Sequence, residues 1–299
     1  MSGYVVSVLI FAGIWAILTV SLNALTGWAG QVSLGQAAFF AIGAYGFALS
    51  ATRAELPFLA AMVVGTATAF VLTGLLGLLA LRVRDDFLVF TTIGVNFLVV
   101  AVFGYFEVFG GASGIVALPL PQIAGTVLTL NQVLVLVLCV LGLVTLAGWW
   151  IRRSWLGQGF VALRDDEQAA QALGVPTPYY KMIAFAISGG IAGLAGSLYA
   201  SFLGNVFPQN FGFLISIQVM AMLVLGGLGT LHGAILGAVL LTALPELLRP
   251  LSDYRYTVFG LVLVLIVMFA PDGLSGLARR LVSRVRRRRE PQRDKEATS

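Results

Sequence analysis

Apart from one polar insert at residues 155–181, the body of this chain is hydrophobic sequence of the kind that fits a bilayer. Of its 299 residues 59% are hydrophobic and only 10% charged, and the mean hydropathy is +0.96, outside the range of a soluble globular domain. A helical crossing needs about 20 apolar residues, and the uncharged intervals lack the short alternating pattern of a membrane barrel. The expected fold is therefore all-α, a polytopic transmembrane bundle of eight or nine apolar segments, some of them broken or re-entrant. Charges and turn signals place these near 4–22, 31–51, 57–81, 87–106, 127–151, 181–204, 213–230, 232–248 and 256–271.

The insert cannot belong to a span. Arg164, Asp165, Asp166 and Glu167 stand in a row, and each charge would cost about 2.5–3.5 kcal/mol at the bilayer centre. The segment must lie in water or against another protein. The interval 213–248 holds one acid, Glu246; as a single helix it would run roughly 54 Å against a bilayer core of about 30 Å. It must fold back or break, and the glycines of 226–233 are where the backbone permits this.

The first apolar run begins at Gly3 with no Lys or Arg ahead of it, and the first cation is Arg53. The basic start of a cleavable signal peptide is missing, so the run is expected to be a retained span. The lone Cys139 sits in an apolar run and is expected to be a small packing residue. Much of the net charge of +5 comes from Arg279, Arg280, Arg284 and the block 286–289. Directly after a span, such a block marks a cytoplasmic tail near anionic lipid headgroups rather than a nucleic-acid patch. The expected organisation is a transmembrane domain, 1–278, with a cytoplasmic insert at 152–180, then a basic tail, 279–299. The N-terminus falls outside and the C-terminus inside.

The only lysines are Lys181 and Lys295 and no Gly-Lys pair occurs, so the chain has no phosphate-binding Walker loop. His232 has no second His at ligand spacing, and no metal site is expected. No Asp pair or Ser/His pairing suggests catalysis within the spans. The mid-span polar residues Thr91, Thr92, Asn96, Ser188 and Gln218 are neutral, which argues against proton coupling; sodium sites built from carbonyls remain open.

Gly189, Gly193 and Ser197 recur every fourth residue, as do Gly229, Gly233 and Gly237. Small residues at that spacing let helices approach closely, and tight packing is the plain reading of both clusters. The sharper reading makes Gly226, Gly227 and Gly229 part of a broken helix beside a pathway. Asn23, Thr26, Gly27, Gly30, Gln31, Ser33, Gly35 and Gln36 form a second weakly helical, polar stretch. Such backbone is tolerated at membrane depth only when buried in protein or facing a water-filled cavity.

The segments 23–40, 159–174, 211–217 and 223–233 together resemble, in the same order, the M-type permease subunit of bacterial branched-chain amino-acid ABC importers. The resemblance extends from the first span to 269–274. It implies a bacterial inner-membrane protein paired with an H-type permease in a pseudo-twofold heterodimer. It further implies two cytoplasmic ATPase subunits that bind ATP and Mg, and a periplasmic or lipid-anchored binding protein that delivers a small-molecule amino acid. The chain itself would hold no cofactor and do no covalent chemistry.

The insert would be the ATPase-coupling helix, with Gly159, Phe160, Leu163, Arg164, Asp165, Asp166, Glu167, Ala170, Leu173 and Gly174 as its working residues. As one helix, 159–173 would be about 22 Å long, closed by Gly174 and Pro176, with Phe160, Leu163 and Ala170 on a face suited to a partner's cleft. Asn23, Gly27, Gly30, Gln31, Ser33, Gly35, Gln36, Asn96, Gln218, Gly226, Gly227 and Gly229 are the candidates for the pathway or its broken helices. Three positions depart from the resembled family, in which Gln36 is often His, Gln218 often Glu, and an acid often stands near Asn96. The expected substrates are branched-chain or other hydrophobic amino acids. Urea or short amides are the alternative, and an ATPase-independent carrier or channel is the competing class.

Overall fold

A helix that is apolar on every side has no preferred outward face and belongs inside a bundle. α1 (Gly3–Leu22) is of this kind, and all of its residues from Ala16 to Leu22 are buried. It runs on into a π-helical turn, Asn23–Trp28, whose six residues are all buried. The computed structural model describes residues 3–81, 85–123 and 125–247, with Gly260, Gly273 and Gly276. The charged loop around 82–84, the segment 249–255, the apolar run 256–271 apart from Gly260, and the basic tail considered above lie outside the described residues.

α2 (Gln36–Thr52) and α8 (Thr177–Leu203) share the interior with α1. Around them α3 (Phe58–Ala80), α4 (Asp85–Tyr105) and α5 (Leu130–Arg153) bury one stripe and expose the other. In α5 the buried stripe is Val133, Val137, Val140, Val144 and Gly148, a spacing of three to four that keeps one face inward. Leu138, Leu143 and Leu146 point outward, and so does Cys139. The expectation that Cys139 is a packing residue is therefore wrong, because it falls between the buried valines on the opposite side of the helix.

Among the described residues six helices are long and apolar enough to cross a membrane, and two shorter apolar helices accompany them. α2 starts at Gln36 rather than near 31. Gly30, at φ +72°, ends the preceding turn, and Ser33 Oγ accepts the Gly35 N–H, a local bond that competes with helix.

The interval 213–248 breaks where its glycines allow. α9 (Phe213–Gly226) stops at Gly227 and α10 begins at Leu231 (Leu231–Leu247). Gly227 and Gly229 both take positive φ, 113° and 78°. The chain folds back on itself: Gly226 abuts Gly233, and Gly237 abuts Met222 and Gly226, so α9 and α10 form an antiparallel hairpin packed through glycine. The insert contributes α6 (Trp155–Asp165) and α7 (Glu167–Ala172).

Close approach through small residues also closes the core. A Cβ on Gly43 of α2 would overlap the Gly193 backbone of α8, one on Gly196 the Phe40 carbonyl, and one on Gly189 the Thr73 hydroxyl of α3. For the cluster on α8, tight packing is the correct reading. Gly43→Ala and Gly189→Ala are each expected to cost about 1–3 kcal/mol by overpacking, lowering the thermal unfolding midpoint of the detergent-solubilised protein. Gly142→Ala on α5, where a Cβ meets nothing within 4 Å, should leave the midpoint unchanged or raise it. Equal behaviour of the three variants would refute this account of the core.

Candidate functional site

The insert is bound to its own bundle before it meets anything else. Arg152 and Arg153 close the last turn of α5, where cations favour the helix C-terminus. α6 then lies across the start of α8. Gly159 is required there because a Cβ would enter the Tyr180 ring, and Phe160 meets the same ring edge-on with centroids 6.1 Å apart. Phe160 and Leu163 are 1% and 3% exposed, and Ala170 is equally buried.

Two expectations are corrected here. Residues 159–173 do not form one helix: Asp166 leaves the helical region (φ −162°, ψ 109°), and its carboxylate accepts the Ala169 N–H at 2.9 Å as the N-cap of α7. An aspartate at that position stabilises a new helix start as effectively as it disfavours a helix interior. Nor does the face carrying Phe160, Leu163 and Ala170 present itself to a partner, because α6 and α7 use it against their own chain. Glu167 is turned inward as well and pairs with the buried Lys181 Nζ at 2.6 Å. The outward surface of the insert includes Trp155, Val161, Arg164, Asp165, Asp166, Gln171, Leu173 and Gly174. Leu173 is 85% exposed at the tip of the insert.

Arg164 is exposed overall, yet its guanidinium reaches the bundle. Its Nη1 donates to the Gly27 carbonyl at 2.7 Å, and a Cβ on Gly30 would lie 2.9 Å from the Arg164 Cα. From the other side the Gly229 N–H donates to Asn23 Oδ1 at 2.8 Å, and a Cβ on Gly27 would lie 2.7 Å from the Gly229 nitrogen. Asn23, Gly27, Gly30 and Gly229 are thus brought together with Arg164.

A separate polar cluster lies where α2 begins. Gln36 Nε2 donates to Ser21 Oγ and to Ser188 Oγ at 3.3 Å, while Ser21 Oγ donates to the Ser188 carbonyl at 2.8 Å. The Ala37 N–H donates to Ser216 Oγ at 3.0 Å, and the Leu34 N–H to Thr92 Oγ1 at 3.0 Å. Asn96 Nδ2 donates to the Phe211 carbonyl at 3.3 Å. Gln31, Ser33, Gln36 and Asn96 are buried; Gln218 is only partly so, and Gly226 and Gly227 belong to the hairpin instead. Among the described residues Lys181 is the sole buried charge, and no three His, Cys, Asp or Glu side chains gather into a metal site. Ser21, Ser216 and Tyr180 were not anticipated; the serines' only signal is a hydroxyl in an otherwise apolar helix.

The family model described as the branched-chain amino acid transport system permease component matches residues 4–268. This chain belongs to that family. It is 34% identical to the high-affinity branched-chain amino acid transport system permease protein LivM of Escherichia coli (strain K12), over 89% of this chain and 68% of that protein. LivM of Salmonella typhimurium shows the same identity and coverage. A shorter match, 36% identical over 42% of this chain and 39% of the relative, is to the autoinducer 2 import system permease protein LsrC of Salmonella paratyphi B. No solved structure matches the chain.

The two leucines of the insert should behave oppositely. Leu163→Asp places a carboxylate in an apolar contact and is expected to destabilise the protein by about 3 kcal/mol or more. Leu173→Asp changes an exposed tip and should stay within about 0.5 kcal/mol of wild type. Thermal unfolding of the purified permease checks both, and a stable Leu163→Asp would show that the inward face is not a packing face.

Proposed function

We propose that this chain is one half of the translocation pathway of a binding-protein-dependent importer for branched-chain or other hydrophobic amino acids, and that ATP hydrolysis on partner subunits drives it by alternating access. The observation carrying the substrate class is the neutrality of the buried polar groups: amides, hydroxyls and backbone, from Ser21 and Gln36 to Asn96 and Ser216. A zwitterion with an aliphatic side chain needs modest polar handling at its two ends and apolar lining elsewhere. Glutamate or arginine would bring a net charge that these groups do not compensate. Membership of a branched-chain amino acid permease family supports the same reading.

The partners are an H-type permease, two cytoplasmic ATPase subunits carrying ATP and Mg, and a periplasmic or lipid-anchored binding protein. The insert and the basic tail lie on the cytoplasmic side of a bacterial inner membrane, the tail near anionic lipid. Val161, Asp165 and Leu173, which are among the exposed residues of the insert, belong to the surface that meets an ATPase.

Cells lacking their own system but supplied with this permease and its partners should take up labelled leucine, and not glutamate or arginine. Uptake should require ATP and withstand collapse of the proton gradient. Saturable urea uptake without leucine uptake would overturn the substrate class. Leu173→Asp, which leaves the fold intact, should reduce co-purification of the ATPases and leucine uptake at least tenfold; normal uptake would remove the tip from the docking surface.

A further inference from the structure

Three segments far apart in sequence meet at one point: the π turn ending α1, the α9–α10 tip and the last turn of α6. The Gly27 carbonyl is in the final turn of its helix, where carbonyls lack an intrahelical partner, and Arg164 Nη1 supplies the donor at 2.7 Å. That nitrogen also bounds the tip, because a Cβ on Gly229 would lie 3.1 Å from it and 3.2 Å from the Gly27 carbonyl oxygen. Asn23 completes the junction by accepting from the Gly229 N–H. Arg164 is the residue of the acidic-basic run 164–167 that links the insert to both non-helical elements. Its neighbours serve elsewhere: Asp166 caps α7 and Glu167 holds Lys181.

The junction is not fully bonded. Asn23 Nδ2, Trp28 Nε1 and Gln31 Oε1 are buried without a partner among the described residues. Buried polar atoms nearly always find partners; three of the six such atoms among the described residues fall within 23–31, the others being Gln36 Oε1, Tyr45 Oη and Asn96 Oδ1.

We infer that Arg164 is a positioning residue that transmits movement of the insert to the two broken-helix elements, by carrying the Gly27 carbonyl and the Gly229 tip with α6. It does not touch the ATPase; it acts through the junction. This rests on the proposed function in taking the insert as the ATPase-facing part of the permease. Displacement of α6 would shift the end of α1 and the α9–α10 tip together, and with them the polar cluster that begins at Gln36.

The test uses the complete transporter with Arg164→Met and Arg164→Lys. Arg164→Met should still co-purify with the ATPases, which keep their basal hydrolysis, whereas stimulation by loaded binding protein and leucine uptake should both fall at least tenfold. Arg164→Lys retains a cationic donor and should recover a substantial part of both. Hydrogen exchange on the permease alone gives a second readout: Arg164→Met should speed exchange in 23–31 and in 227–231 together, with the α2–α8 core unchanged.

Loss of ATPase co-purification in Arg164→Met would overturn the inference by making Arg164 a docking contact. Normal stimulated hydrolysis, or exchange unchanged at either segment, would overturn it as well. A wild-type complex that does not assemble would instead be the failure of the proposed function, with exchange still reporting on the junction. Asn23→Ser, which weakens the same junction from the tip side, should also uncouple, and it decides the matter if Arg164→Met does not accumulate.

Discussion

Backbone N–H and C=O groups at membrane depth must be paired within the protein, since lipid offers no partner. Most of this chain meets that constraint with helix. Among the described residues two largely buried stretches do not, the segment 29–35 and the turn 227–230, and neighbouring elements cover them. Thr26 Oγ1 donates to the Gln31 carbonyl at 3.0 Å and the Gln31 N–H returns to the Leu25 carbonyl at 3.1 Å. Leu34 and Ala37 donate to hydroxyls from α4 and α9. The turn 227–230 is held by Asn23. Each irregular stretch is thus paired by other elements and largely buried, with Val32 and Leu228 exposed and Arg164 of the insert against Gly27, Gly30 and Gly229.

The same requirement explains the distribution of small residues. Polar side chains can reach an irregular backbone only if helices approach closely, and glycine on α2, α8, α9 and α10 permits this. α3, α4 and α5 satisfy their own backbone and need only one buried stripe; their outer faces carry the large exposed hydrophobics Phe70, Phe90, Phe97 and Leu143. Small residues concentrate where α2, α3 and α8 meet, as close helix packing in a membrane requires, while the interior α1 and the buried phenylalanines of α2 and α8 are bulky and apolar.

Much of this was legible in the sequence. The helical class, the positions of the described spans to within about five residues and the break after Gly226 follow from charge placement and from the length of the uncharged runs; the expected span 256–271 lies outside the described residues. Residues 29–35 read as weakly helical and polar through Gly30, Gln31, Ser33 and Gly35, but the expected start near 31 fell five residues early, because nothing in that pattern says where the irregular backbone ends. The insert was misread in form: helical spacing identifies an apolar face on Phe160, Leu163 and Ala170 but cannot say whether the cover is a partner or the chain itself. Tyr180, the residue that covers Phe160, stands 20 positions away in a segment with no periodic link to it. The meeting of Arg164 with Gly27 and Gly229 was invisible for the same reason, since contacts 137 residues apart leave no trace in local pattern.

The inward docking of the insert bears on how force would pass through such a permease. An element resting on the bundle through solvent could shift without moving what lies beneath it. α6 and α7 instead hold to α8 by close-packed rings, by Leu163 and by the Lys181–Glu167 pair. Packed interiors transmit displacement and switch between discrete arrangements; they do not deform smoothly. Under the proposed function, a push at Leu173 would therefore move α6, α7 and the start of α8 as one body. The uncharged polar cluster of Gln36, Ser21 and Ser188 lies further along α8, where Ser188 is two turns beyond the Tyr180–Lys181 anchor and falls inside the same continuous helix. Among the described residues the one buried charge, Lys181, is thereby held at the insert end of α8, and neutral polarity fills the region through which a zwitterion would pass.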